Sequence, residues 1–244
     1  MKEGVEMKKM IVVVIGIILF SVSILAAVYL RKDFYKIDKI QTYAEFSKYA
    51  DNLQVRLDDT DPERLPEIKE NVFEQLESSH FSNDCVLEIT AQDTYMQKGN
   101  MNIQDAVVNN VLEGETALEG QKIYISKSGG IVVKGKANTV CIDTQTCVNV
   151  MLPGERYLVF CAKSQVSDIL DDDVPIYELS PIKFGLLRIA EDDTKPVVSG
   201  DQLDGKYYVN YNDYEKQEFF VISDATLQGY LEIKHEIFKK YGVE

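Results

Sequence analysis

The stretch KIYISKSGGIVVKGKANTVCIDTQTCVNVMLPGERYLVFCAK, residues 122–163, decides the fold that this sequence predicts. Short runs rich in Val, Ile and Tyr follow one another here, separated by Gly, Asn or Asp. Such runs are typical of β-strands, and their close succession without a helical period predicts a small barrel or sandwich. The predicted strands are KIYIS (122–126), IVVKG (131–135), TVCID (139–143), CVNVML (147–152) and RYLVFCAK (156–163).

The same pattern extends to both sides of this stretch. CVLEIT (85–90) and AVVNNVLEG (106–114) predict strands before it, and FGLLRIA (184–190) predicts one after it. KYYVNY (206–211) and QEFFVI (217–222) predict a hairpin that turns at Asn212 and Asp213. A C-terminal helix is predicted from about Ala225, with Ser223 or Asp224 as its cap. Its apolar stripe consists of Leu227, Tyr230, Leu231, Ile237, Phe238 and Tyr241.

The order VLEG (111–114), LEGQKIYI (118–125) and LPGERYLVF (152–160) resembles a known class of exported bacterial domains. Their OB-type barrel is similar to the netrin and tissue-metalloproteinase-inhibitor modules. IYELSPIKFGLLRIAEDD (176–193) resembles the strand pair that closes such barrels. The resemblance covers residues 85–193 and implies an OB-like β-barrel in an extracytoplasmic binding module. It does not imply protease inhibition, because the N-terminal cysteine ridge of the animal inhibitors is absent.

MIVVVIGIILFSVSILAAVYL, residues 10–30, contains no charged residue. As a helix it is about 31 Å long, which matches the ~30 Å hydrocarbon core of a bilayer. The run is longer than the apolar part of a signal peptide and lacks a small-x-small cleavage site after it, so it predicts an uncleaved anchor. A cleaved signal and a buried core helix are the alternatives. Basic residues flank both ends of the run, so charge does not decide its orientation. The short N-terminal tail and the domain that follows predict that the N-terminus is cytoplasmic and that the domain lies outside.

These predictions divide the chain into five parts. Residues 1–9 form a cytoplasmic tail, and 10–30 form a single-pass transmembrane helix in the cell membrane. Residues 31–84 form a stalk whose amphipathic helix carries Leu65, Ile68, Val72, Phe73 and Leu76. Residues 85–193 form the OB-like barrel, and 194–244 form the hairpin and helix that pack on it. The predicted fold class is mainly β with flanking helices.

Charge restricts the partners. Residues 31–244 carry 23 basic and 38 acidic side chains, a net charge of −15. Binding to phosphate backbones requires basic stripes, so nucleic acid is excluded as a partner. The expected partners are the lipid bilayer, through the anchor, and an envelope protein or glycan.

We predict no catalytic residues, but one arrangement of residues forms the basis of an enzymatic alternative. His80, Cys141 and Arg156 occur in the order used by sortase-like cysteine transpeptidases, in which a thiolate attacks an acyl group and a guanidinium holds the carbonyl. The resemblance departs from that family at two points. His80 follows a helix-end sequence, and Val140, rather than Thr, directly precedes Cys141.

The four cysteines admit three disulfide pairings in an oxidising compartment. We prefer Cys141 with Cys147, across a hairpin, and Cys85 with Cys161; buried thiols are the alternative. The cysteine and histidine spacing predicts no metal site, and no cofactor motif is found.

The sequence therefore favours a non-enzymatic binding or interaction module of the cell envelope. A sortase-like cysteine transpeptidase is the enzymatic alternative. A structural stalk for an envelope complex is a third hypothesis.

Overall fold

A computed structural model of the chain describes two units, one within residues 1–39 and one within residues 40–244. The residues described are 14–25, 40–51, 53–77, 85–98, 101–134, 139–143, 149–164, 170, 173–190, 201–203 and 206–243.

In the first unit, residues 14–25 form helix α1. Its apolar side chains are exposed, from 48% for Ile24 to 68% for Phe20. Within the described residues, no helix is both long and apolar enough to cross a membrane. The structure therefore does not support the predicted span at residues 10–30, of which only 14–25 are described.

The second unit is mainly β with helices, as the sequence predicts, and its larger sheet has six strands. The strands of this sheet are β2 (Cys85–Lys98), β3 (Met101–Glu113), β4 (Lys122–Ser128), β7 (Arg156–Lys163), β8 (Ile176–Leu179) and β9 (Leu186–Arg188). Strand β2 pairs with β3, β3 with β4, β4 in parallel with β8, and β8 with β7. Because β7 also pairs with β2, these five strands close into a ring. Strand β9 pairs with residues 157–159 of β7, whereas β8 pairs with residues 161–163 of the same strand.

Long, irregular strands allow this closure. The pairing of β2 with β3 shifts register at three places, the last of them between Ala91 and Tyr95. Such bulges bend a strand and increase its twist, which a sheet needs to curl onto itself. The interior is apolar, with Val86, Leu87 and Phe160 fully buried.

A second sheet has five strands in the order β10-β11-β1-β6-β5. Its strands are β1 (Gln54–Arg56), β5 (Gly130–Lys134), β6 (Thr139–Asp143), β10 (Asp201–Leu203) and β11 (Lys206–Asn210). The predicted hairpin of residues 206–211 with 217–222 is wrong, because β11 pairs with β1 and β10. After β11, the Asn210 side chain accepts a hydrogen bond from Asn212 N and starts a 3-10 turn at Tyr211–Tyr214.

The predicted strand at 147–152 is also wrong over its described residues, since 149–152 are not in a strand. Met151 donates its backbone N–H to the Gln104 side chain and accepts a hydrogen bond from it, both at 2.8 Å. Side-chain partners thus replace a strand ladder here.

Three helices complete the unit: α2 (Tyr43–Ala50), α3 (Leu65–Glu77) and α4 (Asp224–Tyr241). Ser223 caps α4 as predicted, by accepting a hydrogen bond from Thr226 N. Helices α3 and α4 approach closely at Gly229, where an added Cβ would lie 2.5 Å from Leu65 Cδ1. Residues of both helices join the core of the ring. Residues 40–77, assigned to a stalk from the sequence, therefore belong to the same compact unit as the strands.

Candidate binding site

A cleft with a volume of about 420 Å³ opens beside the end of β9. This lies within the 300–1,000 Å³ range of small-molecule sites. Four segments contribute its walls: the start of α2, the turn before β7, the end of β9 and the residues after the 3-10 turn. The lining residues are Tyr43, Leu152, Pro153, Glu155, Arg188, Ala190, Glu215 and Lys216. A smaller cavity shares Leu152 and Arg188 with it. We name the two together the Arg188 cleft.

Arg188 is the central polar residue of this cleft. Strand pairing places it opposite Tyr157 of β7, and it is only 8% exposed. Its Nη1 donates a hydrogen bond to the Lys216 carbonyl at 3.0 Å, whereas its buried Nε has no hydrogen-bond partner. Among the described residues, no carboxylate lies within ion-pair distance of the guanidinium. A buried cation without a counter-ion normally carries a large desolvation penalty, so this position requires an explanation.

The walls of the cleft are held by polar contacts from distant parts of the chain. Asn149 Nδ2 donates to the carbonyls of Glu215 at 2.6 Å and Gln217 at 2.9 Å. Asn149 Oδ1 accepts a hydrogen bond from the Tyr211 hydroxyl at 2.8 Å. On the other wall, Leu152 N donates to the Tyr157 hydroxyl at 2.7 Å. These contacts fix the cleft before any ligand arrives.

Charges of both signs surround Arg188. Glu155 and Glu215 are half-buried, and Lys216 is exposed. Within the described part of the chain, neither carboxylate has a cation within ion-pair distance. Burial, with a smaller contribution from Glu215, raises the pKa of Tyr43 to about 12, so its hydroxyl stays protonated at neutral pH. The larger cavity thus contains two cations, two carboxylates and a neutral hydroxyl.

The structure describes two of the three residues of the alternative transpeptidase site, Cys141 and Arg156. His80 lies outside the described residues. Cys141 is on β6, which pairs with β1 and β5, whereas Arg156 is on β7 of the other sheet. Arg156 donates Nε at 2.9 Å and Nη2 at 2.7 Å to Glu88 Oε1. Its guanidinium is therefore already bound to a carboxylate, and the structure does not place it on a strand next to Cys141.

The structure describes both cysteines of one of the two predicted disulfides, Cys85 and Cys161. Strand pairing sets Cys85 of β2 directly opposite Cys161 of β7, and both are buried. This adjacency is compatible with the predicted Cys85–Cys161 pair, which stays a prediction. Cys147 lies outside the described residues, so the Cys141–Cys147 pair also stays a prediction.

The sequence did not identify Arg188, Glu155 or Glu215 as site residues. Glu155 and Arg188 fall within the runs that carry the barrel resemblance, where they were assigned to fold geometry alone. A signal was present, because Arg188 is the one charged residue in FGLLRIA (184–190). A buried arginine in such a strand is costly unless something binds it. Its missing counter-ion, however, is a tertiary feature.

Comparison with known proteins adds no relative: no protein-family model matches the chain, and no curated protein matches it. The class of this protein therefore has to be argued from its fold and its cleft.

Proposed function

We propose that this chain is a membrane-anchored, non-enzymatic binding module of the cell envelope, and that the Arg188 cleft is its ligand site. The observation that carries the proposal is the 8%-exposed Arg188 side chain, which lines a cleft and has no counter-ion among the described residues. A ligand that supplies the missing charge turns an unfavourable buried cation into a favourable contact.

The order of the strands supports an OB-like barrel. The ring runs β2-β3-β4-β8-β7 and returns to β2, and its one parallel pair is β4 with β8. OB folds are five-stranded Greek-key barrels, and a ring of five strands with non-sequential neighbours agrees with that architecture. OB folds serve binding functions in many proteins, which agrees with a binding module but does not identify a ligand.

The proposed anchor rests on the uncharged sequence of residues 10–30, within which α1 lies. The described residues 14–25 include exposed Val, Ile, Leu and Phe side chains on all sides of the helix. A helix that is apolar all round is normally buried in protein or lipid. The uncharged run continues from residue 10 to residue 30, which is long enough for one span. The domain then lies outside the cytoplasm, and its partner is an envelope protein, a peptide or a glycan.

The structure offers less support to the cysteine transpeptidase. Such an enzyme needs its thiolate and its arginine at one acyl group. Here Cys141 and Arg156 belong to different sheets, and Arg156 binds Glu88. We therefore do not keep this activity as a second candidate.

The proposal is tested on the full chain in two steps. The anchor predicts that the protein stays with membranes after an alkaline carbonate wash, and that protease added to intact cells removes the domain. Ligand binding is tested by thermal unfolding in the presence of amino acids, short peptides, amino sugars and uronic acids. We expect at least one class to raise the Tm of the wild type but not of Arg188→Met. If no class does so, the binding proposal fails.

A further inference from the structure

The four charged groups of the larger cavity define the chemistry of its ligand. We infer that the cleft binds a small zwitterion, with its carboxylate on the Arg188 guanidinium and its ammonium group between Glu155 and Glu215. This inference rests on the proposed function and specifies the ligand that the proposal leaves open.

The carboxylate end follows from the hydrogen bonds of Arg188. Nη1 is used by the Lys216 carbonyl, but Nε is buried and has no partner. A guanidinium presents its N–H groups as a planar fork that matches a carboxylate, and such charge-assisted bonds are the strong ones. The Glu218 carboxylate does not fill this role. Its Oε1 accepts from the Arg188 backbone N, and its Oε2 binds Lys234 Nζ.

The ammonium end follows from the acceptors of the cleft. Glu155 and Glu215 both line it, and no described basic side chain neutralises either carboxylate. Gln217 Oε1, in the smaller cavity, is buried and also has no hydrogen-bond partner. An ammonium group has three donors and no acceptor, so it suits a group of acceptors of this kind.

The charges that line the larger cavity of the cleft balance to zero. Arg188 and Lys216 contribute two positive charges, and Glu155 and Glu215 contribute two negative charges. A simple anion would bind Arg188 but lie near two carboxylates, and a simple cation would lie near two basic groups. A zwitterion places each of its charges next to its opposite.

The size of the cleft restricts the ligand further. A volume of about 420 Å³ is near the lower end for ligand sites. It suits a free amino acid or a short peptide, which share this chemistry. The experiment separates these two sources.

The test is calorimetric titration of the purified full-length protein. One arm uses the proteinogenic amino acids singly, and a second uses dipeptides such as Ala-Ala. Two matched probes remove one charge each: propionate lacks the ammonium group of alanine, and ethylamine lacks its carboxylate. We expect binding in the amino acid arm, the dipeptide arm or both. For the amino acid that binds, deleting either group weakens binding roughly ten- to a hundredfold, the size expected for one charged hydrogen-bonded contact.

The variants assign each end of the ligand. Arg188→Met should abolish binding. Glu155→Gln with Glu215→Gln should weaken binding of the zwitterion but strengthen binding of the amine-free carboxylate, because two nearby negative charges are removed. Arg156→Gln, which removes an arginine outside the cleft, is the matched control and should bind as the wild type does. Equal binding of the carboxylate with and without the ammonium group would overturn the inference but leave the binding proposal intact. Binding of uronic acids alone would do the same. No Arg188-dependent binding of any probe would overturn both.

Discussion

Lys234 and Arg188 are both buried basic side chains, but the protein treats them differently. Lys234 is 1% exposed, and its Nζ lies 2.6 Å from Glu218 Oε2. Arg188 lines the cleft, and no carboxylate of the described residues lies within ion-pair distance of its guanidinium. Glu218 contacts both residues. It accepts a hydrogen bond from the Lys234 ammonium group, but from Arg188 it accepts one from the backbone N. A buried charge that is paired inside the protein supports the fold, whereas a buried charge without a counter-ion at a cleft is available to a ligand.

Lys234→Ala should have the largest effect on stability. It leaves the Glu218 carboxylate buried without its cation, which typically costs about 3–5 kcal/mol. Unfolding in urea measures the change. Lys240→Ala is the control, because Lys240 pairs with Glu77 at the surface and such pairs contribute about 0–1 kcal/mol. A similarly small loss of unfolding free energy in both variants would contradict a stabilising role of the Lys234–Glu218 pair.

Alkaline pH should have the second-largest effect on the stability of the fold. The pKa of Tyr43, at the cleft, and that of Tyr241, next to Phe160, are both raised to about 12 from an ordinary value of 10.0, chiefly by burial. Between about pH 10 and pH 12, these two tyrosines keep protons in the folded protein that they have lost in the unfolded chain. The stability they contribute is therefore complete below about pH 10 and is lost as the pH rises toward 12.

Urea midpoints measured across this pH range, with tyrosinate absorbance recorded in parallel, check this prediction. Tyr43→Phe should flatten the decline, because it removes one of the groups that titrate. Midpoints that stay constant between pH 10 and 12 would contradict the raised pKa values.

Arg156→Gln should have the smallest effect and serves as the comparison for Arg188. Arg156 binds Glu88 on the surface of β7, with 48% of its side chain exposed. Solvent screens such pairs, so the expected loss is about 0–1 kcal/mol with no change in ligand binding. A loss of binding in this variant would show that ligand recognition does not depend on the cleft alone.

The sequence predicted what depends on local pattern. RYLVFCAK (156–163) forms β7 with the predicted bounds, and Ser223 caps α4. A short apolar run between charged residues is enough for the strand, and an apolar stripe after one capping residue is enough for the helix. The predictions failed where distant side chains satisfy the backbone, as when Gln104 binds both polar groups of Met151. No local pattern contains that contact.

The cleft could not be predicted for a related reason. Glu155, Arg188 and Glu215 come together only because β7 pairs with β9 and because Asn149 holds residues 215–217 against the turn before β7. Sequence showed an arginine within an apolar run, but only the fold shows that its charge has no internal partner.

The central claim is that the charge of Arg188 is not needed by the fold. The most direct measurement is the free energy of unfolding of Arg188→Met without ligand. The variant loses the charged hydrogen bond to the Lys216 carbonyl, worth about 1.5–3 kcal/mol, but this loss is offset because it also removes the cost of a buried cation without a counter-ion. We therefore predict a stability within about 1 kcal/mol of the wild type, or above it. A loss of about 3–5 kcal/mol, as expected at Lys234, would show that the protein itself neutralises Arg188 and would contradict the account.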